Sequence, residues 1–478
     1  MINNIIIFTI LCVCILLYSQ KKIDKMLIVI GISYVCMPVI KIGVNNGINS
    51  AYVLTFVLTV LFVHSFLFKR LIFRKEQLVY LISMVLSVLL ICIGWLLNGV
   101  PSLSGLIHFA GMSQYILGVF IFSVFVSSYD VEKKDLFKKI FGGIILLNYV
   151  LVFLQMVYPI LGKEITKYLY TYEGKTAPLE AVDFEWSGRF VRSFGTFYSP
   201  TVLGIVSLLL AIFFLREITE RKKVLKLDVV FYVLSVGLGL LAFSKMAIIG
   251  NIIIIFINVL LEVGKNKGRR VSCIALKTVT IILIVYFGTA GLQCLLGFTP
   301  YVQYYYIDKL NVFAALETRY GNLFSSSEMD METETNAVEI ESSVIETETS
   351  VIETEAEVNN IEDEIPVIEG NTLEAFDIFR KHPIIGVGPM SIEGEFLGDS
   401  EYISILHNGG ILAFGAYGCC YGYLILWSFV KKRKAELLTL FGVGMGAVSI
   451  MVFSYGCIIP FVAYCLCEHK TKDETTNI

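Results

Sequence analysis

Apolar runs of about 17 residues or more, the length a helix needs to cross bilayer hydrocarbon, recur almost from one end of the chain to the other. Water is absent from that layer, so every backbone N–H and C=O must find a partner within the chain. Successive long runs therefore fold as a bundle of helices. The 478 residues are 56% hydrophobic and 17% charged, where soluble domains carry about 25% charged residues. A soluble enzyme is excluded. So is a nucleic-acid binder, because the net charge is −3 and the basic residues sit in short clusters between apolar runs.

Those clusters set the topology. They are Lys21, Lys22 and Lys25; Lys69, Arg70, Arg74 and Lys75; Lys133, Lys134, Lys138 and Lys139; Arg216 to Lys226; Lys265 to Lys277; and Lys431 to Lys434. Short loops this basic belong on the cytoplasmic side, so the chain crosses an even number of times between them. The expected spans are 2–19, 26–44, 51–68, 77–97, 105–127, 140–161, 200–216, 227–243, 246–262, 273–296, 403–429 and 436–458. The expectation is an all-α, polytopic membrane helical bundle of about twelve transmembrane helices, N-terminus outside. The stretch from Glu436 to Cys467 holds Gly456 and Pro460, which divide it into two short helices if a thirteenth span exists. Lys21 and Lys22 follow the first apolar run, the reverse of a signal peptide's order, so that run reads as a retained helix. The 11 cysteines lie in or beside apolar runs and read as small buried hydrophobes.

This topology divides the chain into N-terminal membrane helices (1–161), a first external loop (162–199), central helices (200–298), a long external loop (299–402), C-terminal helices (403–467) and a tail (468–478). The long loop contains a tract, 325–370, with 15 of the chain's 41 Asp+Glu and no Lys, Arg or His. Within it Ser343-Val344-Ile345-Glu346-Thr347-Glu348 recurs seven residues later from Ser350 to Glu355. Like charge and β-branched residues oppose a helix, so the tract reads as disordered and solvated. After it, Asn371 to Phe379 shows amphipathic spacing, Gly386-Val387-Gly388-Pro389 forms a turn, and Asp399-Ser400 stands where a helix cap belongs.

Four segments around these loops carry a resemblance. They are Arg192-Ser193-Phe194-Gly195-Thr196-Phe197-Tyr198-Ser199-Pro200; Ala242-Phe243-Ser244-Lys245-Met246-Ala247; Phe379-Arg380-Lys381-His382-Pro383-Ile384-Ile385-Gly386-Val387-Gly388; and Asp399-Ser400-Glu401-Tyr402-Ile403 with Gly410 and Gly415 following. In this order they resemble the O-antigen polymerase (Wzy-type) and O-antigen ligase group of membrane glycosyltransferases, over roughly residues 140–430. Lys245 stands where the group carries arginine. Ligases commonly place His-Asn where this chain has Asp399-Ser400, which favours a polymerase; His407-Asn408 lies eight residues further on.

The resemblance implies polymerisation of undecaprenyl-pyrophosphate-linked oligosaccharide units into surface polysaccharide: O-antigen, capsule or exopolysaccharide. The enzyme expected is a metal-independent glycosyltransferase without cofactor, in the cytoplasmic (inner) membrane with its active face outward. A chain-length-determining membrane protein is a partner by family analogy. Such a transfer needs cations on the departing pyrophosphate and a base for the attacking hydroxyl. Arginine suits the first task because its planar fork bonds phosphate oxygens in pairs. The external arginines are Arg189, Arg192, Arg319 and Arg380, and Lys245 joins them as a pyrophosphate or glycan ligand; interfacial anchoring and ion pairing are the plainer readings. The candidate bases are Asp399, Glu401 and His407: the carboxylates suit a helix N-terminus whatever else they do, and an ionisable group inside a membrane helix is functional by default. Tyr301, Tyr304, Tyr305 and Tyr306 suit sugar stacking or an interfacial belt. His64 and His108, also in spans, rank lower. The alternatives are an O-antigen ligase and a lipid-linked oligosaccharide flippase or other transporter, which calls for internal repeats and mid-membrane charges.

Overall fold

The computed structural model describes residues 2–42, 46–68, 71–99, 103–129, 131–171, 192–220, 225–242, 244–263, 276, 279, 378–389, 400–448 and 455–467. Within them the chain is almost wholly helical: α1 (Ile2–Ser19), α2 (Ile23–Cys36), α3 (Ala51–Phe68), α4 (Lys75–Asn98), α5 (Leu103–Ser128), α6 (Lys133–Val157), α7 (Pro159–Tyr170), α8 (Pro200–Glu220), α9 (Lys226–Leu241), α10 (Lys245–Val263), α11 (Glu401–Val430), α12 (Lys434–Gly446) and α13 (Ile459–Leu466). Seven of these, α1, α3, α4, α5, α6, α8 and α11, are long and apolar enough to cross a membrane. The molecule is a multi-pass membrane helical bundle. The span expected at 273–296, apart from Leu276 and Val279, lies outside the described residues, as do the acidic tract and Tyr301 to Tyr306.

Helix boundaries depart from expectation where backbone chemistry overrides hydropathy. The run at 26–44 stops being helical at Cys36 because Pro38 forces Met37 out of the helical region, to ψ 138°. A small antiparallel ladder, β1 (Ile40–Ile42) on β2 (Asn46–Ile48), follows. The run at 140–161 breaks at Tyr158, where Pro159 opens α7 at a first-turn position that needs no N–H donor. The run at 436–458 ends at Gly446.

Helix α8 is the hub. Nearly every residue from Pro200 to Thr219 is buried, and α9, α10 and α12 pack around it. A helix apolar on all faces belongs in the interior. Beside it Phe141 stacks on Phe461 with centroids 4.6 Å apart and meets Phe213 edge-on at 4.8 Å, tying α6, α13 and α8 together. Helix α11 lies along α4.

The basic clusters that fall among the described residues gather at one end of this bundle. There Tyr18 Oη meets His64 Nδ1 and Ser65 Oγ, each at 2.7 Å, and Ser65 meets Tyr129 at 2.8 Å. Lys133 Nζ binds Glu436 at 2.6 Å, Lys134 binds Glu220 at 3.0 Å, Lys434 binds Glu262 at 2.6 Å, and Lys138 pairs with Asp228. Arg216 reaches Asn258 at 2.6 Å and Glu220 at 2.8 Å. Two turns at this end close as Schellman motifs with lysine at the left-handed position. In the first, Lys21 (φ 59°) donates its N–H to Tyr18 O and Lys22 donates to Leu17 O, both at 2.9 Å. Lys432 (φ 55°) and Arg433 repeat the pattern on Phe429 and Ser428.

The chain after Tyr455 returns to this end, since the Cys467 carbonyl accepts from both Lys133 and Arg433 at 2.6 Å. The described parts of 434–467 are two short pieces between the two ends, α12 and the helical stretch Gly456–Leu466. The N-terminus sits at the far end, where Asn3 Nδ2 donates to Val39 O and Tyr168 O, each at 3.0 Å.

Candidate functional site

The described parts of all four motif segments lie at the end opposite the basic clusters, and they meet pairwise in two joints. The first joins the Arg192–Pro200 segment to the α9–α10 turn. Ser193 N–H donates to Leu241 O at 2.9 Å and Arg192 Nε to Ala242 O at 3.2 Å. Lys245 opens α10 three residues further along. Gly204 lies so close to Ser244 that an added Cβ would stand 2.1 Å from its Oγ, which lets α8 and the turn touch.

Two amides of α6 hold this segment from beneath. Gln155 Oε1 accepts the N–H of Phe194 at 3.0 Å and of Gly195 at 3.1 Å, while its Nε2 donates to Thr166 Oγ1 at 2.8 Å and to Gly195 O at 3.3 Å. Asn148 Oδ1 accepts from Thr196 N at 3.0 Å and from Thr196 Oγ1 at 3.2 Å. Gly195 adopts φ 57°, and a Cβ there would stand 2.3 Å from Asn148 Oδ1, so only glycine fits. The N–H groups from Ser193 to Phe197 are thereby all engaged within the protein. Arg192 is half-buried above it.

The second joint is a broken helix. Within α11, Gly410 lies at φ 63°, ψ −164°, outside the helical region. Backbone groups freed on either side are met by the Pro383–Gly388 segment. Val387 N–H donates to His407 O at 3.0 Å and Gly388 N–H to Asn408 O at 2.8 Å; beyond the break Ile411 N–H donates to Pro383 O at 2.8 Å and Leu412 N–H to Ile384 O at 3.2 Å. Irregular backbone at membrane depth is tolerated when neighbouring protein satisfies it in this way. Glycines permit the closeness: Gly386 (φ 72°) abuts Asn408, and Gly94 of α4 abuts the Ile385 carbonyl. Asn98 Nδ2 adds a bond to Gly386 O at 2.8 Å.

His407 sits on the last turn before the break, 1% exposed. Its Nδ1 is 2.7 Å from Asn408 Oδ1, and Asn408 Nδ2 reaches Ser404 Oγ at 3.1 Å. With Nδ2 engaged as donor, Oδ1 accepts from Nδ1–H. Nε2 is then the lone-pair nitrogen, and among the described residues it has no hydrogen-bond partner.

The joints share a wall. Glu401 N–H donates to Ala447 O at 2.8 Å and Tyr402 Oη to Gly444 O at 2.8 Å, fixing the start of α11 on the end of α12; Gly446 of α12 packs on Ile205 of α8. Tyr198 bonds Tyr455 through their hydroxyls, with rings stacked 5.9 Å apart.

Of the expected site residues, Arg192 and Lys245 fall together in the first joint and His407 in the second. Glu401 is 2% exposed at the start of α11. Arg380 is exposed on the helical turn that leads into Pro383. Asp399, Arg189 and Arg319 lie outside the described residues. His64 belongs to the basic end, and His108 lies within α5. Among the described residues no three His, Cys, Asp or Glu side chains stand together as metal ligands.

Sequence reasoning passed over Asn148, Gln155, Asn98 and Tyr455. A signal for the first two was present: they are amides seven residues apart in an apolar helix, on one face and too costly to leave facing lipid. No family model matches this chain, and comparison with curated proteins finds no match.

Proposed function

We propose that this protein is an outward-facing membrane glycosyltransferase that polymerises undecaprenyl-pyrophosphate-linked oligosaccharide units into surface polysaccharide, in a bundle of twelve or thirteen spans. The observation that carries this reading is the pairing of the motif segments. Segments scattered from Arg192 to Gly410 along the chain close two joints at one end of the bundle, each held by backbone hydrogen bonds. In this reading Arg192 and Lys245 bind the pyrophosphate, with Arg189, Arg319 and Arg380 around it. The acceptor hydroxyl attacks the anomeric carbon of the growing glycan, the bond from that carbon to the pyrophosphate breaks, and the hydroxyl proton passes to a base. His407 Nε2, Asp399 and Glu401 are the candidates for that base. Positive charge beside the leaving group lowers the barrier because it meets charge that develops only in the transition state.

A transporter of the same lipid-linked units is the second reading, favoured by the broken helix, since discontinuous helices often form substrate sites in transporters. Deleting the gene and resolving surface polysaccharide and lipid-linked precursors on gels separates them. Collapse to single units displayed outside supports polymerisation. Full-length polymer left on its undecaprenyl carrier means ligation, and single units trapped on the cytoplasmic face mean transport.

A further inference from the structure

A cavity of about 360 Å3 opens at the basic end, between the α1–α2 turn and the start of α6, far from both joints. Five charged residues line it: Lys21, Asp24, Glu132, Asp135 and Lys139. Buried Ile23 and Leu136 form its apolar side. Its size falls at the lower edge of the roughly 300–1,000 Å3 typical of small-ligand sites.

All five are exposed to solvent, whereas the lysines packed inside this end are paired. Lys133, Lys134 and Lys434, at the same end, are each bound to a glutamate within 2.6–3.0 Å. None of the five cavity residues makes an ion pair or side-chain hydrogen bond among the described residues, though both signs are present. Lys21 is held in place by the Schellman turn that fixes its backbone at φ 59°. Opposite charges placed around one cavity and kept apart form a receptor for a ligand carrying both signs. Three carboxylates would repel a lone anion such as a nucleotide phosphate. The two lysines oppose a lone cation, and the three acids are not clustered as metal ligands.

Position narrows the ligand further. The cavity lies at the ends of α1 and α5 and the start of α6, all of membrane-crossing length and hydropathy. That is the depth of lipid headgroups. We propose that this cavity binds the headgroup of an aminophospholipid, phosphatidylethanolamine, with its phosphate on Lys21 and Lys139 and its ammonium among Asp24, Glu132 and Asp135. The site is independent of the glycan chemistry at the other end.

Native mass spectrometry of the full-length protein in detergent, titrated with dioleoyl-phosphatidylethanolamine or dioleoyl-phosphatidylglycerol, tests it. The expected result is retention of the ethanolamine lipid by about tenfold over the glycerol lipid. In Asp24→Asn/Asp135→Asn that preference falls to about one at unchanged melting temperature, and in Lys21→Ala/Lys139→Ala the ethanolamine lipid is lost. Equal retention of both lipids by the parent protein, or a preference that survives Asp24→Asn/Asp135→Asn, overturns the proposal. Displacement of the lipid by equimolar soluble phosphoethanolamine overturns the lipid assignment in favour of a free solute.

Discussion

Gln155 occupies all its hydrogen-bonding capacity on two segments far apart in the chain, and this makes it the residue on which the Arg192 loop most depends. Replacing it by leucine keeps the apolar helix but leaves two buried N–H groups without an acceptor, at about 1–3 kcal/mol each. Gln155→Leu is expected to lower the melting temperature in detergent and to reduce polymer, while Gln155→Glu, which keeps the acceptor oxygens, retains more of both. Arg192→Ala makes a cleaner separation: polymer is expected to disappear while the protein stays in the membrane at normal level. Long-chain polymer in that strain would remove Arg192 from the site. Arg192 stands out in the sequence because external arginines are few. Gln155 does not, because its partners, Phe194 and Gly195, lie some forty residues on and nothing local indicates them.

Helix α11 was legible as a span and illegible as a broken one. Hydropathy counts apolar residues and is blind to a single φ; Gly410 reads like any glycine until Pro383 to Gly388 are placed against it. Gly410→Ala sets a side chain at φ 63° and drives its Cβ to 2.4 Å from Ile384 backbone. The expected cost is about 2–4 kcal/mol, seen as a lower unfolding temperature together with loss of polymer. Unchanged stability would show that the break can straighten. The opposite sign is expected at Lys432→Gly, which relieves a left-handed lysine and raises stability by about 1 kcal/mol. Elsewhere helix ends followed proline more than hydropathy. Pro38 and Pro159 were in plain view, yet the apolar runs across them looked continuous because proline itself is not polar.

At the scale of the molecule the charge pattern was the most informative thing in the sequence, since those members of the basic clusters that fall among the described residues gather at one end of the bundle. Illegible was how many of those lysines and arginines are buried partners rather than a solvated fringe. Lys133 and Glu436 are both nearly inaccessible, at 3% and 8% side-chain exposure. Lys133→Met alone leaves the buried carboxylate only its longer pair with Arg433 at 3.7 Å and is expected to cost about 3 kcal/mol, whereas Lys133→Met/Glu436→Leu recovers part of the loss. Thermal unfolding of the three proteins measures the difference. Removing 325–370, outside the described residues, is expected to leave polymer length unaltered; lost activity at normal protein level would give the tract a role. The filled break also fixes an order of assembly. The partners that satisfy α11 on either side of Gly410 belong to another segment, itself seated on α4, so α11 has no means of holding its observed shape while it enters the bilayer alone. The expected order is insertion as an ordinary span, opened when the Pro383–Gly388 segment arrives; amide exchange on warming that appears around Gly410 before it appears in α8 checks it.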